Sequence, residues 1–94
     1  MNEQLLEDIG LTKGEIKVYL TLLKLGETTT GKIIEEAQIS SGKIYEILEK
    51  LIKKGLASYT IKEKTKYFSA ASPNRILDYL HEKEKGIKEK EQEL

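Results

Sequence analysis

The chain has 94 residues, which suffice for one domain with a modest core. Its 16 basic and 16 acidic residues cancel, so the net charge points to no class of partner. The absence of cysteine excludes a disulfide framework, a thiol nucleophile and a cysteine zinc site.

The N-terminal part of the chain is predicted to be helical. Residues 2–9 form a short helix that Gly10 ends. Thr12 and Glu15 have the spacing of a capping box, in which each side chain accepts a hydrogen bond from a free N–H group at the start of the second helix. This helix runs to about Leu25, and its apolar residues recur so often at helical spacing that it should be the most buried helix.

A helix-turn-helix is predicted to follow. After a short extended link, Thr29 or Thr30 caps a third helix that continues through Ala37. Gln38 and Ile39 then form a tight turn into a fourth helix. Two short helices joined by about three residues are typical of a helix-turn-helix.

The fourth helix is predicted over about residues 40–54, with Ser40 as its N-cap and Gly55 closing it. One face carries an apolar stripe of Ile44, Ile47, Leu48 and Leu51. The opposite face carries Lys43, Tyr45, Glu46 and Lys50. A helix with short leading residues and lysines on its free face can enter the DNA major groove, because nothing bulky blocks the approach.

A β-hairpin is predicted after this helix, with strands over 56–61 and 66–70 and a lysine-rich tip between them. Ser72 and Pro73 then start a last helix, serine as the cap and proline at the first helical position. The order of elements predicts a mainly α fold with a small β-hairpin (α+β): a winged helix-turn-helix over residues 1–72, followed by a C-terminal helix over 73–94.

The charge is unevenly distributed along the chain. Residues 40–66 hold seven lysines and three glutamates, a local charge of +4. Such a local excess can form a basic face on a neutral protein. The candidate DNA contacts are Thr29, Thr30, Ser41, Gly42, Lys43, Tyr45, Glu46, Lys50, Lys62, Lys64 and Lys66.

Several of these residues admit two interpretations. Lys43 is the first candidate for a contact with a base edge or a phosphate, and the alternative is a solvated lysine. Tyr45 either reaches a phosphate or packs on the preceding helix. The two threonines either help a helix start to bind a phosphate or only cap it. Each of the three wing lysines alone can be a solvated side chain. Their alternate positions can instead point all three to one side of a strand, where they contact the backbone or the minor groove.

The last helix is a candidate dimerisation helix or a linker. Three of its apolar residues are seven apart, the interval of a coiled-coil seam, but two glutamates interrupt the companion seam position. The predicted interface residues are Ile76, Leu77, Leu80, Ile87 and Leu94. A two-fold dimer would place two recognition helices about one DNA turn apart.

No catalytic, metal or membrane pattern is found. There is no nucleophile–base pair, glycine-rich phosphate loop or metal constellation, so we expect neither an enzyme nor a cofactor. His81 is interpreted as a solvated helix residue. No apolar run approaches ~20 residues and no signal peptide opens the chain, so we expect a cytoplasmic protein without a membrane partner.

About residues 5–80 resemble the DNA-binding domain of TrmB-like transcriptional regulators, and more distantly MarR-like winged helices. The segments that carry the resemblance are residues 11–20 (LTKGEIKVYL), 25–27 (LGE), 43–48 (KIYEIL), 54–56 (KGL) and 66–73 (KYFSAASP). The resemblance implies a dimeric, sequence-specific regulator of transcription. Most such regulators carry a C-terminal sugar-sensing domain, for which we expect no counterpart within these 94 residues, and the sequence predicts no particular effector.

Three positions depart from the family's pattern. Gln38 stands where glycine is common in the turn, Ser41 where arginine is common, and Gly42 where serine is common. Losing the arginine removes an obvious bidentate reader of guanine. Two functions therefore stay open: binding of double-stranded DNA, and a winged-helix module for protein–protein contacts, which an exposed apolar patch on the fourth helix would favour.

Overall fold

The computed structural model describes residues 3–93. In chain order the elements are α1 (Glu3–Asp8), α2 (Lys13–Leu25), α3 (Thr30–Ala37), α4 (Ile44–Lys53), β1 (Ala57–Lys62), β2 (Thr65–Ala70) and α5 (Asn74–Gln92). The predicted α+β fold class is confirmed, since the described residues form five helices and a two-stranded antiparallel hairpin. No helix among residues 3–93 is long and apolar enough to cross a membrane.

Helix α2 starts at the predicted capping box. The Thr12 hydroxyl accepts a hydrogen bond from the Glu15 N–H at 3.2 Å, and the Glu15 carboxylate accepts one from the Thr12 N–H at 3.1 Å. Tyr19 and Leu22 are buried, and α2 contacts α1, α3, α4 and β2. The prediction of a central, buried second helix is confirmed.

One hydrophobic core joins all the helices to the hairpin. It contains Leu6, Ile9, Leu11, Ile16, Val18, Tyr19, Leu22, Ile33, Ala37, Ile44, Leu48, Leu51, Leu56, Ala57, Phe68 and Ile76. Three members of the predicted stripe of α4 are fully buried and the fourth, Ile47, is half-buried against them. The apolar face of α4 therefore points inward, and its charged face points to solvent.

The turn between α3 and α4 contains one residue with left-handed backbone conformation, and this residue is not a glycine. Gln38 has φ 56° and ψ 46° and ends α3. A side chain in this conformation costs on the order of 1 kcal/mol, because its Cβ crowds the following carbonyl. The turn thus has the geometry that glycine would adopt more easily.

Helix α4 begins at Ile44, four residues later than predicted. Residues 41–43 form a turn in which the Ser40 carbonyl accepts hydrogen bonds from the Lys43 N–H at 3.1 Å and the Ile44 N–H at 3.2 Å. The prediction of Ser40 as N-cap was wrong: Lys43 is the N-cap, and no side chain caps the helix there. Serine and glycine favour turns over helix interiors, which explains the late start.

The hairpin is tightly registered. Its pairs run from Ala57 opposite Ala70 to Lys62 opposite Thr65, and the two-residue tip has positive φ at both Glu63 and Lys64, as a type I′ turn requires. The link before α3 also pairs with the hairpin through two hydrogen bonds between the backbones of Thr28 and Phe68, at 2.9 and 2.7 Å. The wing is therefore held on both sides of β2.

Helix α5 leaves the domain from the end of the hairpin. It begins at Asn74, with Pro73 as the N-cap instead of the first helical residue. The Ser72 hydroxyl nevertheless accepts a hydrogen bond from the Asn74 N–H at 3.2 Å. A boundary shift of one residue is ordinary. The first two turns of α5 pack on the core, while Leu94 lies outside the described residues.

Candidate nucleic-acid interface

The exposed face of α4 is made almost entirely of charged side chains. It consists of Lys43 at the N-cap followed by Glu46, Glu49, Lys50 and Lys53, all exposed. Lys50 forms a salt bridge with Glu46 at 3.2 Å, and Lys53 forms one with Glu49 at 3.6 Å. Lys43 forms no salt bridge within residues 3–93, so its positive charge is available at the leading end of the helix.

Tyr45 lies on the side of α4 that faces the wing. Its side chain is 61% exposed and lines a groove of about 290 Å³ between α4 and the hairpin. Ile52 and Glu49 also line the groove from α4, and Tyr59 and Lys66 line it from the wing. Tyr45 thus neighbours the wing.

The wing lysines do not share one side, which corrects the prediction from their spacing. Lys62 is opposite Thr65 and Lys66 is opposite Ile61, so the two lysines project from opposite faces of the hairpin. Alternation holds only within one strand, and the turn at residues 63–64 interrupts it. Lys66 lies 4.6 Å from the Tyr59 ring centroid, whereas Lys62 lies 5.7 Å from that of Tyr67 on the other face.

Lys62 is already paired within the domain. It donates a hydrogen bond to the carboxylate of Glu27, in the link that precedes α3. This hydrogen bond raises the pKa of Lys62 and holds its ammonium group in the charged form. Lys64 and Lys66 form no salt bridge within the described residues, so they are the wing cations that carry an uncompensated charge.

Lys54 belongs to the basic segment of the sequence, but its side chain is half-buried instead of exposed. Its ammonium group forms a salt bridge with the buried carboxylate of Glu15 at 2.5 Å and lies 5.8 Å from the Tyr79 ring centroid. Burial acts to raise the pKa of Glu15, but hydrogen bonds from Lys54 and Thr12 outweigh it and the pKa lies below its ordinary value. This pair fastens the end of α4 to the start of α2.

The small polar residues near the two helix starts are placed as follows. Thr29 is the N-cap of α3, yet its hydroxyl makes no capping hydrogen bond, so capping alone does not explain it. Thr30 is the first helical residue and is half-buried. Ser41 and Gly42 are exposed in the turn before α4. A Cβ atom added at Gly42 would meet nothing within 4 Å, so packing inside the domain does not require glycine there.

Comparison with known proteins decides the family. A family model described as "Sugar-specific transcriptional regulator TrmB" matches residues 6–74, which is most of the chain. The chain belongs to the TrmB family of transcriptional regulators. It is 33% identical over 79 residues to the HTH-type sugar sensing transcriptional regulator TrmBL1 of Pyrococcus furiosus, a match that covers 84% of this chain and 23% of that protein. The chain therefore spans less than a quarter of this relative.

Solved structures share the winged-helix fold. TrmBL2, described as an archaeal chromatin protein, superposes with a TM-score of 0.85 at 24% identity, over 96% of this chain and 36% of that one. Protein ST1889 of Sulfolobus tokodaii gives a TM-score of 0.72 at 22% identity, over 94% and 96% of the two chains. A MarR-family regulator of Silicibacter pomeroyi gives 0.67 at 11% identity, over 90% and 62%.

Two exposed residues of this TrmB-family domain were not among the contacts predicted from the sequence. Tyr59 is 45% exposed and Ile61 is 62% exposed, and both lie on the hairpin face that carries Lys66. Their alternation in β1 was a signal, because alternate strand residues share a face and the core ends before the wing tip. Within residues 3–93 no group of three or more acidic or histidine side chains could hold a metal ion.

Proposed function

We propose that this TrmB-family chain binds double-stranded DNA as a sequence-specific regulator of transcription. Helix α4 enters the major groove, and the wing over residues 61–67 contacts the backbone or the minor groove. One observation carries the proposal: the outward face of α4 is charged, and Tyr45 is its one large apolar side chain that is exposed in the described structure. Charged faces with free lysines suit phosphates, whereas protein partners are favoured by apolar patches.

The leading end of α4 makes the first contacts in this arrangement. Lys43 lies at the N-cap and reaches a base edge or a phosphate. Ser41 and Gly42 are small enough to let the backbone of the turn approach the DNA closely. The free N–H groups at the start of α3, next to Thr29 and Thr30, donate hydrogen bonds to a backbone phosphate on the flank of the groove.

The wing and Tyr45 bind the DNA backbone beside the major groove. Lys66 and Tyr45 both line the gap between α4 and the hairpin, so one phosphate passing there can meet both side chains. Lys64 projects from the tip. Lys62 contributes less than its charge suggests, because Glu27 already compensates it.

Binding of a labelled duplex, followed by fluorescence anisotropy, tests this assignment. Lys43→Ala and Lys66→Ala are expected to weaken binding by about three- to tenfold each, the effect of losing one lysine–phosphate contact at moderate salt. Lys88→Ala removes the same charge from a salt bridge on α5 and serves as the matched control, with an unchanged affinity expected. Equal affinities for all three variants and the parent would contradict the assigned interface.

A second part of the proposal is that α5 mediates a homodimer. Ile76 is buried in the domain's own core, so it is not available to a partner subunit. Leu77 and Ile87 are 56% and 59% exposed and line an apolar groove of about 550 Å³ together with Leu80 and with Ile9 in the turn after α1. A second copy of the chain can cover this groove and place two α4 helices on one side of the DNA.

Sedimentation velocity of the full chain tests the dimer. Leu77→Glu with Ile87→Glu would place four charges at a two-fold interface and is expected to give monomers where the parent gives dimers. Leu23→Glu, an exposed leucine of α2, is the control and should sediment like the parent. A parent that is monomeric at high concentration would contradict this role of α5.

The protein-interaction module remains the second candidate because of one feature. Tyr45, Tyr59 and Ile61 are all exposed around the groove between α4 and the wing. Ile61→Ala should abolish binding of a partner protein that uses this surface, because it removes apolar contact area. It should leave binding of a duplex nearly unchanged, because it alters no charge on the wing. A parent chain without affinity for any duplex would favour this second function.

A further inference from the structure

The centre of the exposed face of α4 carries an acid. At about 100° per residue, Glu46 points away from the stripe formed by Ile44, Leu48 and Leu51. Its side chain is 67% exposed. Because phosphates repel a carboxylate, an acid in this position weakens binding to every DNA sequence unless it meets a hydrogen-bond donor.

The bases supply such donors in the major groove. The exocyclic amino groups of cytosine and adenine point into it, and a glutamate most commonly accepts from cytosine N4. Glu46 is in the first turn of α4, the part of a recognition helix that comes nearest to the base edges. Its position therefore favours contact with a base over contact with the backbone.

Lys50 forms a salt bridge with Glu46, so a donor and an acceptor lie side by side on the helix. Its ammonium group lies 3.2 Å from the Glu46 carboxylate, one helical turn further on, and its side chain is 54% exposed. A C·G base pair presents the same two functions in reverse: cytosine N4 donates and guanine O6 accepts. These two atoms are joined by the base-pair hydrogen bond, with a usual N···O distance of about 2.9 Å.

We propose that Glu46 and Lys50 together read one C·G base pair in each half-site. Glu46 accepts from cytosine N4, and Lys50 donates to guanine O6. The inference rests on the proposed function, in which α4 occupies the major groove. The pair would supply a reader of bases for α4. The turn before this helix contains Ser41 and Gly42 and has no arginine that could do so.

The chain offers a matched control for this pair. Glu49 and Lys53 form a second glutamate–lysine salt bridge at the same spacing on the same helix. Glu49 lines the groove toward the wing with Tyr45, so it is directed sideways and not at the bases. Glu46→Gln and Glu49→Gln remove the same charge, and both are surface changes that should leave the melting temperature within a few degrees.

Selection of duplexes from a randomised pool, followed by affinity measurements on single-base variants, tests the inference on the full chain. The parent is expected to prefer C·G over A·T at one position per half-site by at least about fivefold. Glu46→Gln should shift this preference to adenine, which a glutamine side chain reads through N6 and N7. Lys50→Ala should reduce the preference without shifting it, and Glu49→Gln should retain it.

Two other results would overturn the inference. If Glu46→Gln and Glu49→Gln raise the affinity for all duplexes equally and leave base preferences unchanged, Glu46 acts only by repulsion. If the parent binds duplexes in a salt-dependent way without any base preference, the pair reads nothing while DNA binding itself stands. Failure of the parent to bind any duplex would instead overturn the proposed function.

Discussion

Lys54→Met is expected to destabilise the fold without removing a DNA contact. Of the seven lysines in residues 40–66, all within the described chain, only Lys54 is half-buried. Methionine keeps much of its length and apolar stem but leaves the 1%-exposed carboxylate of Glu15 without its cation. Breaking a buried ion pair costs about 3–5 kcal/mol. We expect a loss near the lower end, about 3 kcal/mol of unfolding free energy. The reason is that Glu15 keeps its hydrogen bond from the Thr12 N–H, and that the Lys54 side chain of the parent is partly exposed.

This loss is a large share of the total stability, about 5–14 kcal/mol for a chain of this size. Urea denaturation followed by circular dichroism measures it. Lys53→Met is the matched control, because that lysine is 74% exposed and its pairing with Glu49 is worth at most about 0.5 kcal/mol. Equal stabilities of the two variants would refute the reasoning. While folded, Lys54→Met should also keep the salt dependence of DNA binding that the parent shows.

Three further predictions concern stability. Leu51→Ala should cost about 2–5 kcal/mol in urea denaturation, because Leu51 is fully buried; parent-like stability with loss of DNA binding would mean that the apolar stripe faces outward. Gln38→Gly should add about 1 kcal/mol by relieving the left-handed backbone, and a loss of stability would show that the Gln38 side chain contributes more than the strain costs. The pKa of Glu15 lies below the ordinary value of a glutamate, so its stabilising contribution is present above that ordinary value and is lost as the pH falls through the lowered pKa. The parent should therefore lose stability in acid more steeply than Glu15→Gln, and parallel loss would argue against the pair.

Local signals predicted most of the fold. The capping box of Thr12 and Glu15, the stripe of α4 and the hairpin all depend on neighbouring residues, and the structure confirms each. The start of α4 was predicted wrongly because Ser40 resembles an N-cap. The competing preference of Ser41 and Gly42 for a turn prevailed there.

Contacts between distant residues could not be read from the sequence. Lys54 and Glu15 are 39 residues apart, and Lys62 and Glu27 are 35 apart. Local spacing therefore predicts neither pair. A count of charges over residues 40–66 therefore overstates the free positive charge, because it includes both lysines. The opposite directions of Lys62 and Lys66 likewise follow from the hairpin register, which only the structure supplies.

The salt dependence of binding to random-sequence duplex DNA tests DNA recognition most directly. Lys43, Lys64 and Lys66 are exposed cations on α4 and the wing that form no salt bridge within the described residues. A dimer using about 6–8 lysine–phosphate contacts should lose affinity with a slope of roughly −5 to −7 in log K against log salt. Lys64→Ala should flatten the slope by about 1 for each lost contact in each protomer. A parent slope near zero would contradict DNA binding by this face.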